Sequence, residues 1–425
     1  MCNDLHLQAI CDLNSSILEK RVDFQDILSS CYEKIQNTDS EIRAWKYLTP
    51  IEMQYSPYTN GPLVGLCLGV KDIFATMDGP TSMGTDPLTW RGTRGSFDAR
   101  VISKIRGAGA TIIGKNKTSE FAVHEPTDTI NPRNHELAPG TSSSGGAAAV
   151  AAGHISISIS SQTAGSIARP ASYCGVIGFK PTFGELPRTG VLKTTESFDT
   201  VGIIGNSISN IAAVFDVARV NDLNHPLHLK RASSNLDNVR FFHAIGPIFD
   251  GASEETRIAA KSFASNLIGG DKLMDLSELT QLDFEKLRSC HHDVYAKELS
   301  YFLADELNSE NVSPRLRAFG NYGKKISIHA YRDWLGFLYA QRKLASSELD
   351  NSIIFALSAA DEAPKIGGAD LVDANLLWTS LGLPQISLPL FTSKSGNPIG
   401  LSVIGFKGSD SQILSLAEKF FPGFV

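Results

Sequence analysis

Apolar positions at three- and four-residue spacing fill residues 5–36, with Phe24, Ile27, Leu28 and Cys31 on one stripe, and they predict two helices. Residues 43–49 (RAWKYLT) read as a short strand. The run GLCLGVKD at 65–72 is apolar between glycine and charge, and reads as a buried strand ending at Lys71. Ser96 is placed to cap a helix running to about Arg106, and ATIIGK (110–115) is strand-like. A helix of small residues at 145–153 precedes HISISIS (154–160), which alternates as a strand does. The middle, 206–350, is helix-rich, with helices at Ile208–Val220, Ser253–Leu267 and Tyr331–Leu349 and one strand at 239–245. Strand signals return at 352–357, 384–390 and 400–405, before a helix at 409–420.

Strands and helices interleave from end to end, without an internal repeat or low-complexity linker. That pattern predicts a single α/β domain with a mixed, mostly parallel central sheet and helices on both faces. The net charge of −6 argues against a nucleic-acid partner, which favours a basic surface. Cys2, Cys11, Cys31, Cys67, Cys174 and Cys290 are scattered and form no CxxC pair, which suits reduced thiols in a cytoplasmic protein. The N-terminal residues lack the basic start and apolar run of a signal peptide, and no stretch reaches the ~18 apolar residues of a membrane span. The chain is compatible with a homodimer.

Three segments stand out chemically. In GVKDIFATMDGPTSMGT (69–85), Lys71 ends an apolar strand, where burial costs an ammonium much and lowers its pKa toward that of a usable base. A strand-end lysine reaching water or pairing with Asp72 is the alternative. PGTSSSGGAAAVAAG (139–153) sets three serines between glycines ahead of a helix that must pack closely; a linker or helix cap is the alternative. In SSQTAGSIARPASYCGVIGFKPT (160–182), small residues at 164–166 let a carbonyl group approach the backbone.

Taken together, GVKD (69–72), GTSSSGGAAAVAAG (140–153), TAGSI (163–167) and CGVIGFKPT (174–182), in this order, resemble the amidase signature family. The likeness continues through GVLKTTESFDTVG (190–202) and more loosely LLWTSLGLPQISLPL (376–390), and is weakest over 225–345. It implies one domain over 1–425: an N-terminal helical region (1–60), catalytic core motifs (61–205), a variable substrate region (206–350) and C-terminal strands and helix (351–425). It implies Lys71 as catalytic base, Ser166 as nucleophile and Ser142 as the serine bridging them, with Ser143 supporting. The alanine-rich helix sets this register and excludes Ser144. Backbone N–H groups around Thr163, Ala164, Gly165 and Ser166 are the implied oxyanion hole. The family's cis peptide bond before the bridging serine is implied at Thr141–Ser142.

The implied activity is hydrolysis of the carbon–nitrogen bond of a small or medium linear carboxamide through an acyl-serine. The implied partner is the small-molecule amide itself. Acyl transfer through the same intermediate, or a non-catalytic binding subunit on the same fold, are the rivals. An ammonia-channelling amidotransferase subunit is disfavoured by the chain's length. No GxxxxGK[ST] loop is present, so no nucleotide cofactor is expected, and no metal either.

Departures from the family pattern fall at Thr141 and Gln162, where glycine and aspartate are usual, and at Ala168, where arginine is usual and Arg169 follows instead. The lost acid and displaced arginine suggest an ion pair rebuilt as neutral hydrogen bonding. His135 and His154, the histidines nearest these motifs, lack an acidic partner at a suggestive position, so a Ser-His-Asp relay has little support. His291-His292 reads as part of a surface helix rather than a metal site, and Tyr331, Trp334, Phe337 and Tyr339 read as core packing more than as a pocket wall.

Overall fold

The computed structural model describes residues 4–54, 61–85, 95–123, 125–220, 238–246, 251–278, 281–368 and 375–420; Cys2 lies outside them. The first predicted helical region is α1 (Ile10–Leu18) and α2 (Phe24–Ile42). A reciprocal capping box between Asp23 and Asp26 starts α2, and Arg43 ends it in the left-handed region. Strand β1 (Trp45–Leu48) and the fully buried β2 (Cys67–Lys71) follow.

The next helix, α3 (Arg100–Gly107), begins three residues later than the Ser96 cap predicts. Tertiary contacts overrule the local signal. The Ala99 N–H donates to the Ala75 carbonyl and that of Arg100 to the Thr189 carbonyl, which pins this stretch outside the helix. Beyond it lie β3 (Thr111–Asn116), α4 (Ser144–Ala151), β4 (Ile157–Gln162), α5 (Ala168–Cys174), β5 (Ile177–Lys180), β6 (Thr200–Gly205) and α6 (Ile208–Ala218). Helix α4 has no large side chain because it lies directly on the sheet. A Cβ on Gly146 would stand 2.5 Å from Ser158 Oγ.

The middle of the chain supplies β7 (Arg240–Ala244), α7 (Glu254–Ile268), β8 (Leu273–Asp275), α8 (Phe284–Phe302), α9 (Pro314–Lys325) and α10 (Ile328–Glu348). The end supplies β9 (Ser352–Leu357), α11 (Asn375–Leu381), β10 (Gln385–Thr392), β11 (Pro398–Gly405) and α12 (Asp410–Phe420).

All eleven strands join one sheet in the order β1-β3-β2-β4-β6-β5-β10-β11-β9-β7-β8. It is mixed, as expected, but not mostly parallel. Among the described residues, β2–β3, β2–β4, β7–β8 and β7–β9 pair in parallel and the other six pairings are antiparallel. The pair β10–β11 is antiparallel because the two strands are joined too closely for a crossover.

Strand β9 shows why both faces carry helices. Its Ile353, Phe355 and Leu357 enter one apolar cluster with residues of α1, α2, α3, α6 and α12. Its Ile354 and Ala356 enter a second, built on α8, α9, α10 and α11. Tyr331, Trp334 and Phe337 pack half-buried on the second cluster, as core packing requires. Tyr339 does not; it is 62% exposed, and Leu338 takes the buried position beside it.

The variable middle segment is held by backbone proximity as well as by apolar contact. A Cβ on Gly323 of α9 would stand 1.9 Å from the Ala296 carbonyl oxygen of α8. Gly323→Ala is therefore expected to destabilise the protein by about 1–3 kcal/mol, as overpacking does. A lowered urea midpoint at unchanged slope is the expected reading; an unchanged midpoint contradicts this helix contact.

Candidate active site

Strands β2, β3 and β4 form the parallel part of the sheet's first half, and the site lies at their carboxyl ends, where open α/β sheets commonly place ligands. Lys71, the last residue of β2, is 1% exposed. Its Nζ lies 3.0 Å from Ser142 Oγ, 3.1 Å from Ser143 Oγ and 3.0 Å from Ser161 Oγ. Burial lowers its pKa to about 7, against a weaker upward pull from Asp199. It neither reaches water nor pairs with Asp72. That carboxylate instead accepts from the Ser82 N–H at 3.1 Å and the Ser82 hydroxyl, and faces Lys115 at 3.8 Å.

An ammonium has three N–H donors and a neutral amine two N–H donors and one lone pair, and the pocket offers Nζ three hydroxyls. Ser143 donates its own proton toward the Ser161 carbonyl at 3.4 Å, so it accepts from Lys71. A charged Lys71 donates to Ser142 and Ser161 as well; a neutral one turns its lone pair to one of the three hydroxyls. Ser144 takes no part. Its hydroxyl pairs with Thr127 Oγ1 at 2.9 Å, consistent with the register that the alanine-rich helix implies.

One expectation for this loop is corrected. No cis peptide bond occurs among the described residues, and Thr141–Ser142 is trans. The trans bond avoids the ~3–4 kcal/mol of a non-proline cis bond, and the loop already sets Ser142 within hydrogen-bond reach of Lys71.

Ser142 and Ser166 line a common cavity of about 180 Å³ with Thr141, Thr163, Ala164 and Arg169. No hydrogen bond joins the two serines among the described residues; catalytic contacts of this kind often tighten only around substrate. Among the described residues, the N–H groups of Ala164, Gly165 and Ser166 donate to no protein acceptor. Those of Ile167 and Ala168 are occupied by Gln162 Oε1, at 2.9 and 3.1 Å. Gln162 Nε2 in turn donates to Thr379 Oγ1 at 3.0 Å and Gln385 Oε1 at 3.3 Å, and the Thr379 hydroxyl donates to the Ala164 carbonyl at 2.7 Å. The ion pair expected at this point of the family pattern is thus replaced by neutral hydrogen bonds. Arg169 donates to Thr141 Oγ1 at 3.2 Å, which ties the Ser166 segment to the serine loop.

Several residues of the site were not singled out in the sequence. Ser161 is one; its signal is the parallel pairing of β4 beside β2, which brings its hydroxyl level with the end of the lysine strand. Asp199 is another. It accepts from the Thr194 and Thr195 N–H groups at 2.8 and 2.9 Å, and from the Thr163, Thr194 and Thr195 hydroxyls at 2.8, 2.9 and 2.9 Å. The repeated threonines of GVLKTTESFDTVG are the readable trace of that nest.

His291 is the largest surprise, and it corrects the surface-helix reading. It is 4% exposed, stacks on Phe198 at 4.5 Å, has Nε2 2.9 Å from the Thr163 carbonyl, and lines the cavity. Its neighbour His292 is exposed, with Nδ1 3.2 Å from Asp293. His154, by contrast, is a core residue held by Thr38 and Trp45, and burial lowers its pKa to about 4. No cluster of three or more histidine, cysteine, aspartate or glutamate side chains suited to a metal occurs among the described residues.

The comparisons with known proteins bear on this geometry. Residues 26–246 match the family model described as Amidase. A Staphylococcus epidermidis protein named as a subunit of glutamyl-tRNA(Gln) amidotransferase is 28% identical, over 98% of this chain and 97% of its own length. Chain length therefore gives no argument against that branch. The solved peptide amidase of Stenotrophomonas maltophilia superposes with a TM-score of 0.81 at 22% identity, over 97% of this chain and 96% of its own. A solved 6-aminohexanoate cyclic dimer hydrolase gives 0.84 at 21%, over 98% and 97%. These likenesses show the fold. With the family model spanning more than half of its length, the chain belongs to the amidase family, enzymes that act on carbon–nitrogen bonds.

Proposed function

We propose that the protein hydrolyses a small carboxamide to a carboxylate and ammonia or an amine, with Ser166 as nucleophile and Lys71 as base acting through Ser142. The observation that carries this reading is a desolvated amine 3.0 Å from a hydroxyl that shares a cavity with a second serine. Ser166 Oγ attacks the amide carbonyl carbon as its proton passes to Ser142 Oγ, whose own proton passes to the Lys71 lone pair. The N–H groups around Thr163, Ala164, Gly165 and Ser166 receive the oxyanion; one such donor is typically worth about 3–4 kcal/mol to the transition state. Collapse breaks the carbon–nitrogen bond, and the proton returns along the same serine to the leaving nitrogen. Water then cleaves the acyl-serine and Ser166 recovers its proton. No step calls for a cofactor. The described cysteines are free thiols, which fits a cytoplasmic enzyme.

His291 is the competing base. Its Nε2 is engaged with a carbonyl, which makes that nitrogen a donor and the ring a positioning group for Thr163. A second reading, release of ammonia to an acceptor within a larger assembly, is favoured by the name of the Staphylococcus epidermidis relative. Simple amides supplied to the isolated protein, with and without hydroxylamine, separate hydrolysis from transfer.

A fluorophosphonate probe followed by peptide mapping is expected to tag Ser166. The tag should be lost in Ser166→Ala and fall by about 10²–10⁴ in rate in Lys71→Ala, the usual range for a lost general base. Labelling that survives Lys71→Ala but vanishes in His291→Gln transfers the base role to the histidine.

The acidity of the lysine sets a second expectation. Only neutral Lys71 accepts a proton, and its pKa of about 7 leaves most of it charged below about pH 6. The kcat/KM profile should therefore rise with pH through an apparent pKa near 7. A flat profile from about pH 5 to 9 contradicts the role given to Lys71.

A further inference from the structure

Three consecutive peptide groups run from Thr163 to Ser166, and each is held by its carbonyl. The Thr163 carbonyl accepts from His291 Nε2 at 2.9 Å, the Ala164 carbonyl from the Thr379 hydroxyl at 2.7 Å, and the Gly165 carbonyl from the Arg169 N–H at 3.0 Å. The N–H groups of the same peptide groups, on Ala164, Gly165 and Ser166, donate to no protein acceptor among the described residues. A trans peptide group is planar, with its N–H opposite its carbonyl, so a donor that fixes the carbonyl also fixes where the N–H points. Successive N–H groups aligned in this way receive an anion.

Arg169 is a local hold, at the start of α5. The other two reach the loop from α8 and α11, 128 and 215 residues along the chain from the carbonyls they engage. Thr379 is fully buried on α11, and its neighbour sets the direction of its proton. Gln162 Oε1 accepts from the Ile167 and Ala168 N–H groups, which can only donate. The other end of that amide is therefore its NH₂, and it donates to Thr379 Oγ1 at 3.0 Å. With its oxygen accepting there, the Thr379 hydroxyl turns its proton to the Ala164 carbonyl. A carboxylate in place of that NH₂ would take the proton for itself and leave the carbonyl unheld.

We propose that Thr379 is a positioning residue of the reaction: aimed by Gln162, its hydroxyl holds the Ala164 carbonyl and so presents the Gly165 N–H to the oxyanion. This rests on the hydrolase reading above. The oxyanion forms only as the carbonyl is attacked, so the hydroxyl acts on the transition state and not on the affinity for substrate.

The test follows the saturable reaction of a fluorophosphonate probe with the full-length protein, which separates reversible affinity (KI) from the rate of Ser166 phosphonylation (kinact). Thr379→Val keeps the side chain's shape and removes its hydroxyl. It is expected to lower kinact by about 10–100-fold, a part of what a lost oxyanion donor costs, with KI changed by less than about threefold. Thr379→Ser keeps the hydroxyl and is expected to label within about fivefold of the wild-type rate. The pH midpoint of labelling should stay that of the wild type, because Lys71 keeps its three hydroxyls. A wild-type kinact in Thr379→Val, a loss confined to KI, a Thr379→Ser rate as low as that of Thr379→Val, or a shifted midpoint overturns the assignment. The crystal structure of the wild-type adduct gives a reading that needs no variant. A phosphonyl oxygen within about 3.1 Å of the Gly165 nitrogen supports the role, and one turned away from that nitrogen overturns it. Absent labelling of the wild type sinks the hydrolase reading, whereas labelling indifferent to Thr379 sinks only this assignment.

Discussion

The whole arrangement depends on keeping one amine out of water without giving it a counter-ion in contact. Lys71 sits at the end of a strand buried on both faces, and its nearest polar neighbours are three neutral hydroxyls. Desolvation pushes toward the uncharged form. Asp199 pulls the other way, but four hydrogen bonds from Thr194 and Thr195 and one from the Thr163 hydroxyl already satisfy it. The outcome is an amine whose pKa lies near neutrality, at about 7.

Two other buried lysines show that burial alone does not make a base. Lys115 shares its pocket with Asp72 and spends its protons on Thr81 and the Phe74 carbonyl. Lys180 has a pKa lowered to about 7 as well, yet its Nζ faces the carbonyls of Pro181 and Leu383, which have no proton to give. These contacts join β5 to the segment before β10 and are structural. Lys71 differs because its partners are hydroxyls, one of which borders the cavity. Gln162 extends the same economy of charge. A carboxylate there would add a negative field near the amine and favour its protonated form; the amide supplies the same two acceptor contacts to Ile167 and Ala168 without that field.

Much of this was legible in the sequence, for reasons that differ by residue. Lys71, Ser142 and Ser166 stand in segments whose glycines and small residues are themselves unusual, so local composition marks them. The strands and most helices follow from periodicity. The boundary of α3 did not, because backbone partners from distant segments, Ala75 and Thr189, override the Ser96 cap. Sheet direction did not either, since strand pairing is a property of connections and not of residue pattern. The contribution of His291 was hidden for a related reason. It lies 125 residues from Ser166 on a helix with no motif of its own, and only packing brings it to the cavity. The trans bond before Ser142 was expected to be cis only because the family likeness pointed there, although a bond between two non-proline residues favours trans.

The charge state of Lys71 in the folded protein is therefore the quantity to measure. Nuclear magnetic resonance of isotope-labelled lysine side chains, with the Lys71 signal assigned by its loss in Lys71→Met, gives the titration directly, and the assignment separates it from Lys115 and Lys180. A midpoint near 7 is expected. A midpoint above about 10, the ordinary value for a solvated lysine, would contradict the proton path on which the site is built.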